Sequence, residues 1–460
     1  VILSGSERGV GLWQGTFSNG NVRQVIVTPD KVYSDSGTAR VDVTGSVLTG
    51  GNDDRVQFFF LKNQLVLNNA VDAPRVWNGD DTTPTNTSDL ATIPFSKAGS
   101  MLVHQNLLMA LDTTEGGTRY PTRIRWCNIN RQTYVVDINT WNDADRYEVY
   151  DGGPAIVGAV DAWGWAMIFK QDGVYPGRIV FGPVGEYDFQ LGDPTTEFGP
   201  RRGFTPLAKH SFLSRPEFVF GVAKEGIFII QPDFSFVLIN SDDSEEWFNL
   251  NAGRVQYAQS YVVEREHQVR TLVSSSSNTS GHDYELVWDW DNGNLWIDRP
   301  VVARNYAQRV VLSNEEQVLV AGTDGYLYKA GLSSYSQDNT TGISWRIKMS
   351  PNDLGLPGKL KHVLNVRTLY KRRSGAGTVS VRIHLDEGRS SSVSDSFSAA
   401  VPYTWNSGVK WNTGKKWPGG QAKRADTYVN RICETLAPEW TGTQPASIEG
   451  YLVDYVPLEN

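Results

Sequence analysis

Cysteine is almost absent from this chain, with 2 in 460 residues. A disulfide framework is thereby excluded, and a cysteine zinc site lacks ligands. Cys127 and Cys433 lie far apart in sequence and read as buried free thiols. Methionine is scarce too, at 4 residues, and amphipathic helical patterning is rare, which argues against a helical protein. No apolar run approaches the roughly 18 residues that a spanning helix needs, so no membrane span is expected. Positive charge is not in excess. A net charge of -8 and a pI near 5.4 argue against a protein that grips nucleic acid with its whole surface. The opening Val1-Ile2-Leu3-Ser4-Gly5 has no charged segment followed by an apolar run, so no secretory leader is expected there. It also lacks an initial methionine, which suggests a processed or trimmed product.

Motifs of catalysis are equally scarce. His104, His210, His267, His282, His362 and His384 are scattered, with no His-x-x-x-His or Cys-x-x-Cys spacing, and each reads as a polar surface or hydrogen-bonded residue. There is no Gly-x-Ser-x-Gly elbow and no phosphate-binding loop. Asp242-Asp243, Glu245-Glu246 and Asp143-Ala144-Asp145 are the carboxylate groups to weigh for glycoside hydrolysis. Neighbours on a strand face opposite sides, so a doublet alone does not make a catalytic pair, and surface turns account for all three. Ser336 to Trp345 nearly matches a sialidase-type Asp box, but its glycine falls two positions late. Asn86-Thr87-Ser88, Asn278-Thr279-Ser280 and Asn339-Thr340-Thr341 match the glycosylation triplet, which says little without a secretion signal. No catalytic, metal or cofactor residue is assigned, and the expectation is a non-enzyme.

What the chain does have is glycine and aromatics: 44 Gly and 21 Pro with 15 Trp, 19 Tyr and 18 Phe, a mix that suits many short strands joined by tight turns. One turn recurs. Asp30-Lys31-Val32-Tyr33, Asp172-Gly173-Val174-Tyr175, Glu225-Gly226-Ile227-Phe228 and Asp324-Gly325-Tyr326-Leu327-Tyr328 each set an acidic residue before an apolar-aromatic strand start. Glycine takes φ > 0 at little cost, which makes Asp-Gly a strong hairpin signal. Gly173 and Gly226 are 53 residues apart, and Gly226 and Gly325 are 99 apart, close to two such steps. A period near 50 residues predicts radial repetition of four-stranded units. Leu107–Leu111, Trp163–Phe169, Phe218–Val222 and Gln317–Ala321 are near-continuous apolar runs, and three of them precede the recurring turn. Glu285–Trp296 reads as a further copy with Asp291-Asn292-Gly293-Asn294 as its turn. Lys62-Asn63 suits a two-residue hairpin link. The expected fold is all-β: a β-propeller of about six or seven blades, some degenerate, with an added C-terminal β-sandwich-like module.

The texture changes near Gly342, where polar and loop chemistry takes over. This places a propeller domain in 1–342 and a β module for ring or adaptor contacts in 343–460. Two features of that module read as interface candidates. The first is basic: Lys359, Lys361, His362, Arg367, Lys371, Arg372 and Arg373. A solvated charged face explains it, as does a docking surface for an acidic partner or for DNA phosphates. The second is the echo Trp405, Trp411 and Trp417, which packs under a hairpin or stacks on a neighbouring subunit.

Further stretches carry a resemblance. Val25-Ile26-Val27-Thr28-Pro29-Asp30 is followed by Val32-Tyr33, then Asp42-Val43-Thr44-Gly45 and Leu48-Thr49-Gly50-Gly51. Asn68–Gly79, Arg123–Cys127, Ile156–Gly158, Ile168–Lys170, Val174-Tyr175 and Ile448–Tyr455 continue the order. It resembles the tail nozzle, or tail tubular, proteins of short-tailed bacteriophages. That resemblance implies a structural virion protein, assembled in host cytoplasm, whose hexameric ring extends the portal or head-to-tail adaptor, meets tail fibres or spikes and conducts genomic DNA. It supplies no catalytic residue. The competing expectation is a β-propeller glycan-binding protein or glycosidase acting on a host-surface polysaccharide. A generic propeller scaffold for host proteins is a third.

Overall fold

The computed structural model describes residues 8–36, 40–80, 87–129, 136–150, 153–181, 187–192, 199–239, 249–300, 302–312, 315–330, 337–338, 341–342, 345–349, 352–371, 378–386, 390–398, 422–442 and 447–458. The chain divides into two compact units, Val1–Leu332 and Ser333–Asn460, a division that falls earlier than the one expected after Gly342.

The first unit is a propeller-like succession of antiparallel sheets, each drawn from one continuous stretch of chain; in sheet 3 the small pair Asn128–Ile129 and Val136–Asp137 intervenes before the last strand. Sheet 1 comprises Gly11–Thr16, Val22–Val27, Val32–Asp35 and Arg40–Asp42. Sheet 2 follows with Gln57–Leu61, Gln64–Asn68, Arg75–Trp77 and Ser88–Asp89. Sheet 3 is Lys97–His104, Leu107–Glu115, Thr118–Trp126 and Arg146–Glu148. Sheet 4 is Ile156–Ala162, Trp165–Lys170, Gly173–Phe181 and Tyr187–Leu191, with Arg201–Arg202 added against its third strand. Sheet 5 is Leu213–Ser214, Val219–Val222, Ile227–Ile230 and Phe236–Leu238. Sheet 6 is Gln259–Val263, Gln268–Val273, Tyr284–Asp289 and Leu295–Asp298. Sheet 7 is Arg304–Leu312, Glu315–Gly322 and Leu327–Ala330.

The four recurring turns occupy one structural position, the link between second and third strands, in sheets 1, 4, 5 and 7. Side-chain chemistry explains the pattern. The Tyr175 hydroxyl donates to Asp172 at 2.6 Å, and the Tyr328 hydroxyl donates to Asp324. The turn acid is thus held by a tyrosine of the strand it introduces. Glu225 instead accepts from the Thr205 amide and hydroxyl, both at 2.9 Å. The supposed copy at Asn292-Gly293 is a different turn. It joins the third and fourth strands of sheet 6, and 274–283 joins its second and third. Lys62 and Asn63 take φ of 52° and 58°, the left-handed pair that a two-residue hairpin requires.

The apolar runs are the second strands of sheets 3, 4, 5 and 7, sandwiched between neighbouring sheets. One apolar cluster joins sheets 1 and 2 through Val25, Val27, Leu65 and Trp77. Another runs through sheets 2, 3 and 4 (Val66, Met109, Ile168), and a third through sheets 4 and 5 (Phe169, Val219, Phe228). Sheets 5 and 6 share Phe220, Val269 and Trp288, and sheets 6 and 7 share Tyr261, Leu272 and Val320. A further cluster combines Leu12, Ile26 and Tyr33 of sheet 1 with Tyr306, Val310 and Leu319 of sheet 7. Each fully buried side chain of this size contributes roughly 1.5–3 kcal/mol. The first strands lie against one another as well: Gly11–Thr16 on Arg304–Leu312, and Ile156–Ala162 on both Lys97–His104 and Leu213–Ser214.

The second unit holds two sheets around one core. Trp345–Lys348, Leu436–Gly442, Thr378–Leu385 and Ser390–Ser398 form one, in that order. Ala422–Cys433, Lys361–Lys371 and Ser447–Pro457 form the other, with Lys361–Lys371 in the middle. Val366, Val381, Val429 and Trp440 pack between them, and the Trp440 indole donates to the Thr368 hydroxyl at 2.8 Å. Cys127 and Cys433 are both buried and unbridged. Burial pushes their thiols up to about 12 and about 11.

Candidate functional site

Arg201–Arg202 pairs with the start of the third strand of sheet 4, Gly173 opposite Arg202 and Val174 opposite Arg201. That approach requires glycine. Gly173 sits at φ +149°, and a Cβ there would lie 2.0 Å from the Arg201 carbonyl oxygen. The Asp-Gly mark therefore also makes room for a neighbouring strand. After Arg202 the chain turns at Gly203, φ +106°, and drops Phe204 into the core. Phe204 stacks on Phe236 with centroids 4.3 Å apart and meets Phe228 at 5.0 Å.

The facing wall is the turn between the third strand of sheet 5 and its fourth. Phe234 adopts φ +64° and anchors the turn by burying its ring against Trp163 and Trp165. The Gln231 amide donates to the Ser235 carbonyl at 3.0 Å, and the Ser235 amide donates to the Asp233 carboxylate at 2.9 Å. Those bonds from Ser235 hold the Asp233 carboxyl below its ordinary value, so it is ionised at neutral pH. Between the two walls lies an open cleft of about 310 Å³ lined by Arg201, Arg202, Phe204, Asp233, Ser235 and Phe236. Phe236 is 37 % exposed, an unusual degree for a ring stacked on the core. The Arg202 guanidinium lies over Tyr150 and Tyr175 at 5.7 and 5.6 Å, and 4.0 Å from Asp172. Cations, a carboxylate, a hydroxyl and an accessible aromatic face thus converge. Such a surface stacks the apolar face of a ring and hydrogen-bonds its polar rim. None of these residues stood out in the sequence; the nearest signals were Gly173 and the Asp-Phe-Ser-Phe run at 233–236.

The interface candidates of the second unit do not converge in the same way. Lys359 is exposed, but Lys361 is buried. Its ammonium donates to the carbonyls of Leu356, Lys359 and Glu434 at 2.7–2.8 Å, which removes it from any docking surface. Arg367 pairs with Asp454 across the sheet and lies 4.0 Å from Asp426. The backbone of Lys371 pairs with Ala422 and Ser447. The Lys371 side chain, Arg372, Arg373, Trp405, Trp411 and Trp417 lie outside the described residues. Tyr428, Ile432, Leu452 and Val456 are exposed on the outer strands of this sheet. Of the carboxylate groups weighed for hydrolysis, 242–246 is outside the described residues, and Asp143-Ala144-Asp145 is a surface turn closed by Asn142 and Asp145. No helix among the described residues is long and apolar enough to cross a membrane, and no group of three metal-ligating side chains occurs among them.

No family model matches this chain, and no curated protein does. Among solved structures it is similar to the WD40 domain of Neurospora crassa Pan2, with 9% identity and a TM-score of 0.39 over 72% of this chain and 98% of that chain. The likeness to tail nozzle proteins is corrected accordingly. The solved structure named above is a WD40 domain and not a nozzle component, and the hexameric ring, the portal and tail partners and the DNA-conducting lumen are not carried forward. The residues behind that likeness explain the error. Val25–Val27, Val32, Tyr33, Trp126, Ile168, Phe169 and Val174 are buried strand positions of sheets 1, 3 and 4. Meandering sheets select apolar residues and turn formers in this order whatever the protein does.

Proposed function

We propose that this protein is a non-catalytic binding protein whose cleft at Arg201, Arg202, Asp233 and Phe236 takes an acidic saccharide. In this reading residues 1–332 form a seven-bladed propeller. The cluster shared by sheets 1 and 7 supports closure without an exchanged strand, because each of the seven sheets takes its strands from one continuous stretch of chain. Residues 333–460 form the separate sandwich-like module. The single observation that carries the function is the cleft itself: an exposed Phe236 face beside two arginines and a fixed carboxylate. The arginines suit a sugar carboxylate or sulfate, bound bidentately, and Phe236 suits the ring face. Binding is favoured over hydrolysis because Asp233 is the sole carboxylate among the lining residues, whereas glycoside hydrolysis uses two.

The test is titration calorimetry with uronic-acid oligosaccharides and neutral ones of equal length. The acidic series should bind more tightly, and Arg202→Ala and Phe236→Ala should each weaken it about tenfold or more, some 1.4 kcal/mol. Equal binding of both series, or variants that bind like the parent, overturns the assignment. Release of reducing ends overturns the non-catalytic part.

A further inference from the structure

Several polar side chains from distant parts of the first unit converge where its first strands meet. Arg55 precedes sheet 2, yet its Nε donates to the Asn305 carbonyl at 3.0 Å in sheet 7. Its Nη2 meets His282 Nε2 at 2.7 Å, just before sheet 6's third strand. Lys209, in the short 3-10 turn Lys209–Ser211 before sheet 5, donates to the Gly99 carbonyl of sheet 3 at 3.0 Å. That same turn packs on Ile156–Ala162 and Gln259–Val263, the first strands of sheets 4 and 6. A segment touching the inner strands of sheets 3, 4 and 6 lies near the centre of the ring. The turn also packs on Val255–Tyr257, and the Tyr257 carbonyl meets His282 Nε2, the same atom that Arg55 Nη2 contacts, so Lys209 and His210 lie in the neighbourhood of Arg55.

The charges there do not cancel. Asp53 is engaged bidentately by Arg254 at 2.6 and 3.1 Å, and Asp112 by Arg119 at 2.7 Å twice. Asp54 accepts from the Gly51 amide at 2.7 Å. Arg55 and Lys209 have no carboxylate within ion-pair distance among the described residues. Arg55 is 1% exposed, and its Nη1 has no hydrogen-bond partner. His210 Nε2 has none either. Burial lowers Arg55 to about 10 against the upward pull of Asp53, and Lys209 to about 8 against that of Asp54 and Asp112. Burial, with the charges of Lys209 and Arg55, pushes His210 well below its ordinary value. His282 is held neutral by burial too. Its Nδ1 lies 3.0 Å from the Ser274 hydroxyl, and its Nε2 meets both Arg55 Nη2 at 2.7 Å and the Tyr257 carbonyl at 3.0 Å.

We propose that Arg55, Lys209 and His210 form an axial binding site for a small tetrahedral oxyanion of the phosphate or sulfate class. The inference rests on the closed-ring reading above and not on the saccharide cleft, which lies at Arg201–Phe236. A bound oxyanion supplies the missing counter-charge and accepts from Arg55 Nη1 and His210 Nε2. Because it is gripped by several sheets at once, it ties the ring shut.

Calorimetric titration of the full chain with sodium phosphate and with sodium sulfate, at ionic strength matched by sodium chloride, tests this. Saturable one-site binding is expected, with a rise in melting temperature on the order of a few degrees. Lys209→Met should weaken phosphate binding about tenfold or more while saccharide titration is unchanged. If Lys209→Met does not fold, His210→Gln serves, with a several-fold loss expected. Heats indistinguishable from chloride, or a folded variant that binds phosphate like the parent, overturn the site.

Discussion

The side-chain amide of Gln14, in sheet 1, grips the backbone of Val311, in sheet 7, from both sides. Gln14 Nε2 donates to the Val311 carbonyl at 2.7 Å, and the Val311 amide donates to Gln14 Oε1 at 2.5 Å. Gln259 does the same to Ala307, at 2.6 and 2.8 Å, between sheets 6 and 7. Gln57 links sheets 2 and 3 through Ser100 and the Met101 amide, each at 3.1 Å. First strands of adjacent sheets diverge too far to share a ladder. A glutamine side chain presents a second amide across that gap and satisfies the inner-strand backbone groups.

Removing these clamps should cost stability according to burial. Gln259→Ala leaves two groups at Ala307 unpaired in the interior and is expected to cost about 2–3 kcal/mol. Gln14→Ala faces solvent, where water replaces the amide, and should cost about 1 kcal/mol or less. Urea midpoints of the two variants check the order, and equal losses would remove the clamp argument.

Gly173→Ala should be among the most damaging glycine substitutions. Its Cβ would sit 2.0 Å from backbone, whereas a Cβ at Gly293, φ +70°, meets nothing within 4 Å. The Gly293 variant should lose about 1 kcal/mol from left-handed strain. The Gly173 variant should lose more, about 2–4 kcal/mol, because the Arg201–Arg202 strand must move. Saccharide affinity should fall with it, since that strand forms one wall of the cleft.

Acid should weaken the protein through Glu115. Burial raises its carboxyl, but hydrogen bonds from Arg125 and Thr113 and the charges of Arg125 and Arg123 bring it down to about 2 from an ordinary 4.5. A depressed carboxyl stabilises the fold above its unfolded value, and that contribution is lost as pH falls from 4.5 to about 2. Melting temperature should decline across that window in the parent and decline less steeply in Glu115→Gln. Parallel curves would assign acid sensitivity elsewhere.

Lys361→Ala should destabilise the second unit by about 2–3 kcal/mol, because three carbonyls lose the one charged donor that the buried Lys361 brings them. Lys359→Ala, at an exposed position, should change stability by less than about 0.5 kcal/mol. Thermal unfolding of the full chain distinguishes a structural Lys361 from a surface one.

The sequence by itself determined the strand-rich class, the recurring acidic turn and the apolar second strands. Those features depend on a few adjacent residues: glycine's tolerance of φ > 0, the Asp172–Tyr175 bond and unbroken apolar runs. It misplaced the Asn292-Gly293 turn because third-to-fourth links use the same turn chemistry as second-to-third links. It grouped Lys361 with exposed bases because charge alone does not reveal whether three carbonyls await it. Only the tertiary structure decided the cleft, the glutamine clamps and the central cluster. Gln14 and Val311 are 297 positions apart, and Arg55 and His282 are 227 apart. Sheet curvature and side-to-side packing bring such residues together, and neither leaves a local signal in the chain.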